Sequence, residues 1–218
     1  MRFPSARLCI GVTCLLMATA CAANQPTARA DSVILQDDFS NAQSGWDRNT
    51  AAEAATDYDA GQYRVAVERA NYDAWGTAGL DLNDMAIEAE ARYAGGPENN
   101  SFGVICRYTH SNAKSNFYFF FISTDGYYAL GKVVANERTY LNPAKDFEAS
   151  AAVQKGVSAV NRLAAACQGD RMTFTVNGQA LGEFTDADLT HGDVGLSAGT
   201  FAEGGVKIHF DNVIVRQP

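Results

Sequence analysis

The chain has 218 residues, 47% of them hydrophobic, with 17 Lys+Arg against 25 Asp+Glu and a net charge of −8. That length holds one large β domain. The acidic balance excludes electrostatic attraction to nucleic acid or to anionic lipid headgroups.

The first element is a leader. Arg2 and Arg7 precede an apolar run that begins at Leu8 and closes on Ala18-Thr19-Ala20 before Cys21. A charged start, a short apolar stretch and a small-residue cleavage site are the parts of a secretory signal. The run is too short for a spanning helix, which needs roughly 20 apolar residues. With Leu15-Leu16-Met17 upstream, Cys21 resembles the cysteine of a bacterial lipobox. That resemblance implies cleavage behind Ala20, acylation of Cys21 and attachment to a membrane through lipid. Ala22, rather than Asp, implies outer-membrane sorting in a Gram-negative envelope. The competing reading is an ordinary signal peptide with an incidental cysteine. Residues 21–32 are small and polar and read as a flexible tether, reaching roughly 17–20 Å.

The domain proper is expected over 33–218. Its periodicity is two, as in Gln62-Tyr63-Arg64-Val65-Ala66-Val67 and Met85-Ala86-Ile87-Glu88-Ala89-Glu90. Further strands are expected over 33–39, 101–109, 116–123, 126–134, 158–167, 170–176, 193–200 and 206–215. Asp125-Gly126 and Asn177-Gly178 signal short hairpins in which both central residues take positive φ. Only 143–154 has the pattern of a helical turn. The fold class is therefore all-β, a two-sheet antiparallel sandwich of the jelly-roll kind. After the leader and Cys21, Cys106 and Cys167 remain, an even pair in an exported chain. Parity and an oxidising compartment predict a disulfide, against the alternative of two buried thiols.

Several strings resemble the concanavalin A-like lectin/glucanase superfamily. They are Ser101-Phe-Gly-Val-Ile-Cys-Arg-Tyr, Asn116-Phe-Tyr-Phe-Phe-Phe-Ile-Ser, Val176-Asn-Gly-Gln, Gly192-Asp-Val-Gly-Leu and His209-Phe-Asp-Asn-Val. More narrowly, the chain is similar to exported bacterial domains related to the 3-keto-disaccharide hydrolases. The resemblance implies a lectin-like fold and carbohydrate as the ligand class. It settles no activity, because such strings are turn and core residues.

The most unusual stretch is Phe117-Tyr118-Phe119-Phe120-Phe121-Ile122, with aromatic rings on both faces. A sandwich strand normally has one solvated face. Either an inserted loop covers the second face, or Phe117, Phe119 and Phe121 line an open groove that stacks on sugars. In the groove reading Arg107, Tyr108, Tyr127 and Tyr128 supply edge hydrogen bonds, and Trp75 stands at the rim or fills the sandwich edge.

Glu88 and Glu90 share a strand face and imitate a glycosidase carboxylate pair. The laminarinase-type Glu-x-Asp-x-x-Glu strand is incomplete here, which leaves solvated ion pairs as the plainer reading. Gly195-Leu-Ser197-Ala-Gly199 matches a nucleophile-elbow string but lacks the strand–turn–helix that chemistry needs. His110, His191 and His209 have no metal-ligand spacing. Jelly-roll carbohydrate-binding modules often hold a structural calcium between terminal strands, and Asp38 and Asp211 are the candidate ligands. Calcium takes 6–8 oxygens, and the competing reading has both carboxylates accept hydrogen bonds from turn amides.

Three functions follow: a lipid-anchored, extracytoplasmic domain binding glycan or envelope material; a carbohydrate-active hydrolase or lyase; and a structural lipoprotein without a soluble ligand.

Overall fold

Alternating apolar residues make strands, and strands make up the regular structure of residues 32–218, the part of the chain that the computed structural model describes. In chain order they are β1 (Ser32–Asp37), β2 (Asn49–Thr50), β3 (Ala54–Asp59), β4 (Gln62–Val67), β5 (Asp73–Thr77), β6 (Met85–Gly95), β7 (Asn100–Ser111) and β8 (Lys114–Ile122). There follow β9 (Tyr127–Val134), β10 (Glu137–Tyr140), β11 (Glu148–Ala149), β12 (Val160–Gln168), β13 (Arg171–Val176), β14 (Gln179–Thr185), β15 (Asp193–Thr200) and β16 (Val206–Gln217). One sheet runs β14-β13-β12-β6-β16-β4-β3-β2, with β1 beside β16. The other runs β10-β9-β8-β7-β15-β5, with β11 beside β9.

The two sheets bury their inner faces against each other. Tyr63, Val65, Ile87, Ala89, Ile208 and Phe210 from the first meet Phe102, Val104, Tyr118, Phe120, Ile122 and Leu130 from the second. Cys106 on β7 and Cys167 on β12 are joined in a disulfide with Cα atoms 6.8 Å apart. The bond therefore ties one sheet to the other, as the cysteine parity predicts.

The segment expected to hold a helical turn instead carries β11 between turns. Glu148 accepts hydrogen bonds from Asn142 Nδ2 (2.6 Å) and the Ala144 amide (3.1 Å), and the Ser150 amide donates to Gly126 (2.9 Å). The pairing of Glu148 with Tyr128 and of Ala149 with Tyr127 fastens the segment to β9 in an extended form. The Asn177-Gly178 turn has both residues at positive φ (51° and 82°). At Asp125-Gly126 only Gly126 does (98°), because the reversal spans Ser123 to Tyr127 and needs a single left-handed residue.

The seven-stranded sheet is strongly curled. In a flat sheet its edge strands β10 and β5 would lie roughly 24 Å apart. Arg138 on β10 nevertheless reaches Asp73 on β5, with N···O at 2.6 Å. The outer face of this sheet is therefore concave, and side chains from its two edges meet across it.

Candidate functional site on the concave sheet

Strand β8 places Tyr118, Phe120 and Ile122 in the main core and Phe117, Phe119 and Phe121 on the concave face. Ile105, Ala129 and Val133 from the flanking strands join the second set into a smaller core. The Phe119 ring lies over Gly131, its cross-strand partner, where a Cβ would come within 2.4 Å of the ring. Trp75, Tyr108, Tyr140 and Phe147 pack over this layer. The covering loop is therefore real, and Phe117, Phe119 and Phe121 are buried rather than open to a ligand. This corrects the expectation of an exposed Phe119 groove: apolar rings on a curled sheet gain more from a cover than from water.

The cover has its own openings. Phe119 meets Tyr140 edge-on at 5.7 Å, Tyr140 meets Phe147 at 6.0 Å, and Phe147 meets Phe201 at 5.7 Å. Along this chain of rings lies a cleft of about 440 Å³, walled by Tyr127, Tyr140, Phe147 and Phe201. Asn99, Ser123, Asp125 and Asp146 supply its polar atoms. Tyr127 is 40% exposed, and one carboxylate oxygen of Asp125 is buried without a hydrogen-bond partner. Asp146 accepts a bond from the Phe147 amide (2.7 Å), which orients it beside the ring.

A smaller cleft of about 270 Å³ is lined by Trp75, Phe117, Asp73 and Arg138, among others. Its Arg138 guanidinium stands 5.4 Å from the Phe119 centroid while paired with Asp73. Trp75 thus sits at a rim, packed on Phe117 (5.2 Å) and Tyr108 (5.9 Å).

Arg107 does not face either cleft. It is 1% exposed, and its guanidinium donates to the carbonyls of Asn83 (2.9 Å) and Leu189 (2.8 Å) and lies 3.4 Å from Asp84. The reason is a bulge between Cys106 and Thr109, where Arg107 takes φ +54°. The extra residue reverses the alternation, so Tyr108 takes the concave position that period two assigns to Arg107. Gly192 makes room for the bulge, since a Cβ there would meet the Tyr108 carbonyl at 2.5 Å. Tyr128 faces the main core. Of the sequence-expected ligand residues, Tyr127 lines the larger cleft and Trp75 and Phe117 the smaller. Tyr140, Phe147, Phe201, Asp125, Asp146 and Arg138 were not anticipated. The double-faced β8 was a signal for them, because a cover needs rings and Tyr140 and Phe147 are the next aromatics beyond β9.

The remaining candidates lie elsewhere. Glu88 and Glu90 project from the outer face of the nine-stranded sheet. Glu90 pairs with Arg162 (2.6 Å) and accepts from Asn212 (3.0 Å), which holds its carboxyl below the usual range. Glu88 stands 3.8 Å from Arg216. They are solvated ion pairs, with Arg162 and Arg216 as partners. Ser197 lies within β15 and donates to the Ala74 carbonyl (3.2 Å), with no elbow. Asp38 accepts from the Ser40 amide (3.1 Å) and Asp211 from the Asn212 amide (2.8 Å), the arrangement of the turn-acceptor reading; no calcium is proposed there. Cys21, the leader and most of the tether lie outside the described residues.

No protein-family model matches the chain, and no curated protein matches it in sequence. Solved structures do match. A carbohydrate-binding module, CBM66 from Bacillus subtilis, aligns with TM-score 0.61 and 14% identity over 80% of this chain and 96% of its own. A Bacillus subtilis protein of unknown function with a galectin-like fold gives 0.63 and 10% over 85% and 96%. The β-glucanase of Bacillus licheniformis gives 0.61 and 10% over 87% and 100%. At such identities the likeness is one of fold, and the described chain is an all-β, two-sheet antiparallel jelly-roll sandwich of the concanavalin A-like kind.

Proposed function

We propose that the domain recognises glycans, with an oligosaccharide lying in the larger concave cleft. The observation that carries this reading is the cleft itself, where four aromatic rings flank convergent polar groups. A sugar face of roughly 50–80 Å² buried on one ring contributes about 1–2 kcal/mol at 25 cal/mol per Å². Millimolar affinity needs about 4 kcal/mol, so two or three rings must act together. That favours an oligosaccharide over a single sugar. The carbohydrate-binding module and glycanases among the structural neighbours support the reading without carrying it.

The second reading is a carbohydrate-active hydrolase, the 3-keto-disaccharide hydrolase resemblance included. It is favoured by Asp125 and Asp146, two carboxylates on the walls of one cleft, since glycoside hydrolysis uses such a pair. A glycan-array screen, followed by product analysis on each hit, separates the two. Binding without new reducing ends supports recognition, products formed by the wild type and lost in Asp125→Asn support hydrolysis, and no hit at all refutes both.

Export and lipid attachment at Cys21 form part of the same proposal and rest on the leader sequence. A Cys21→Ser protein is expected to be released or left uncut. Its unchanged membrane partition after correct cleavage would overturn the anchor.

A further inference from the structure

The larger cleft does not end at Asn99. That residue also lines a second depression, of about 200 Å³, together with Glu98, Ala202 and Glu203. Phe201 walls the first and Ala202 the second, so the two are neighbours along one track. Four carboxylates therefore stand on it: Asp125, Asp146, Glu98 and Glu203. No lysine or arginine lines either part. Lys145 is next to Asp146 in the chain and the Lys155 side chain lies over Gly126, yet neither forms a wall.

Several carboxylates elsewhere are engaged. Asp73, Glu90, Glu183 and Asp186 all hold a cation of this chain. Among the described residues, none of the four on the track takes part in an ion pair. A track with unpaired negative charge and aromatic walls fits a ligand that brings its own cations. Ammonium groups satisfy both the carboxylates and the ring faces, while uronate or sulfate groups would be repelled.

Resting on the glycan reading of this same cleft, we propose that its substrate class is a cationic oligosaccharide, a chain of amino sugars carrying free ammonium groups. Acetylating the amines removes the charge and leaves the stacking surface, which makes acetylation the discriminating change. A basic peptide shares the charge but not the flat sugar face.

The test is calorimetric titration of the protein with a glucosamine hexamer, the N-acetylglucosamine hexamer, a galacturonate hexamer and hexalysine, at low and high salt. The glucosamine hexamer is expected to bind at least tenfold tighter than its acetylated counterpart. Raising the salt should shrink that preference, and the uronate should not bind. Asp125→Asn with Asp146→Asn should abolish the preference, bringing the two hexamers to equal affinity. Glu203→Gln, on the exposed rim, should reduce the preference without touching the buried turn. Equal affinity for the two hexamers, tighter uronate binding, or hexalysine binding as tightly as glucosamine overturns the charge proposal and leaves glycan recognition standing if the acetylated hexamer binds. If none of the saccharides binds and the array is also blank, glycan recognition itself falls.

Discussion

Phe119→Ala is expected to act on stability and binding together. The ring is fully buried in the concave layer, stacked on Phe121 at 4.9 Å, under Tyr140 and beneath the Arg138 guanidinium. Truncating a buried phenylalanine costs about 3–5 kcal/mol through lost transfer energy and the cavity left behind. A domain of about 190 residues has an unfolding entropy near 0.4 kcal/mol/K, so Tm should fall by roughly 7–12 °C. Tyr140 would lose its support and the larger cleft its wall, weakening any glycan bound there. Phe147→Ala should separate the two effects, because that half-buried ring lies mostly in the cover. Thermal denaturation and glycan titration of both variants provide the check. If Phe119→Ala kept its Tm and lost only binding, the ring would belong to an open groove and the layered account would be wrong.

Replacing Cys106 and Cys167 by alanine should lower Tm by about 11 °C, because a separation of 61 residues corresponds to about 4.3 kcal/mol in the chain-entropy model. A scan within 2 °C of wild type would refute that. Arg107→Ala should destabilise by about 3–5 kcal/mol, since two carbonyls and Asp84 lose a buried partner. Arg107→Lys should rescue little, as one ammonium cannot reproduce the fork; urea unfolding measures both. Burial and the adjacent Arg92 hold the His209 imidazole below its usual pKa of 6.5. The unfolded chain then takes up the proton first, so stability is lost as pH falls through 6.5. The Tm difference between about pH 7.5 and 5.5 should be smaller in His209→Gln, and an unchanged difference would contradict the shift.

Most of the scaffold was legible in the sequence because long strands of period two announce themselves. β6, β7, β8 and β16 fall close to the expected spans, and the Cys106–Cys167 pairing followed from parity. Short strands at or near the sheet edges were not seen. β3 (Ala-Ala-Thr-Asp-Tyr-Asp) and β14 (Gln-Ala-Leu-Gly-Glu-Phe-Thr) are polar or broken by glycine, and β10 has four residues. Their pairing depends on neighbours far along the chain, which local pattern does not encode. Arg107 was misplaced for a sharper reason. A single inserted residue reverses every later side chain, and no composition rule marks a bulge. The cleft escaped because its walls come from four separated segments, at Asn99, Ser123–Tyr127, Tyr140–Phe147 and Phe201. Only the curl of the sheet brings them together.

The central claim, that the concave face of the seven-stranded sheet is the glycan surface, is tested most directly by comparing variants on the two faces. An oligosaccharide bound by the wild type should be titrated into Phe147→Ala, on the concave cover, and into Arg162→Ala, on the outer face of the nine-stranded sheet. Loss of one stacked ring predicts affinity about 8- to 30-fold weaker for Phe147→Ala and unchanged for Arg162→Ala. Weakened binding in Arg162→Ala, with Phe147→Ala indistinguishable from wild type, would put the ligand on the opposite sheet and contradict the account.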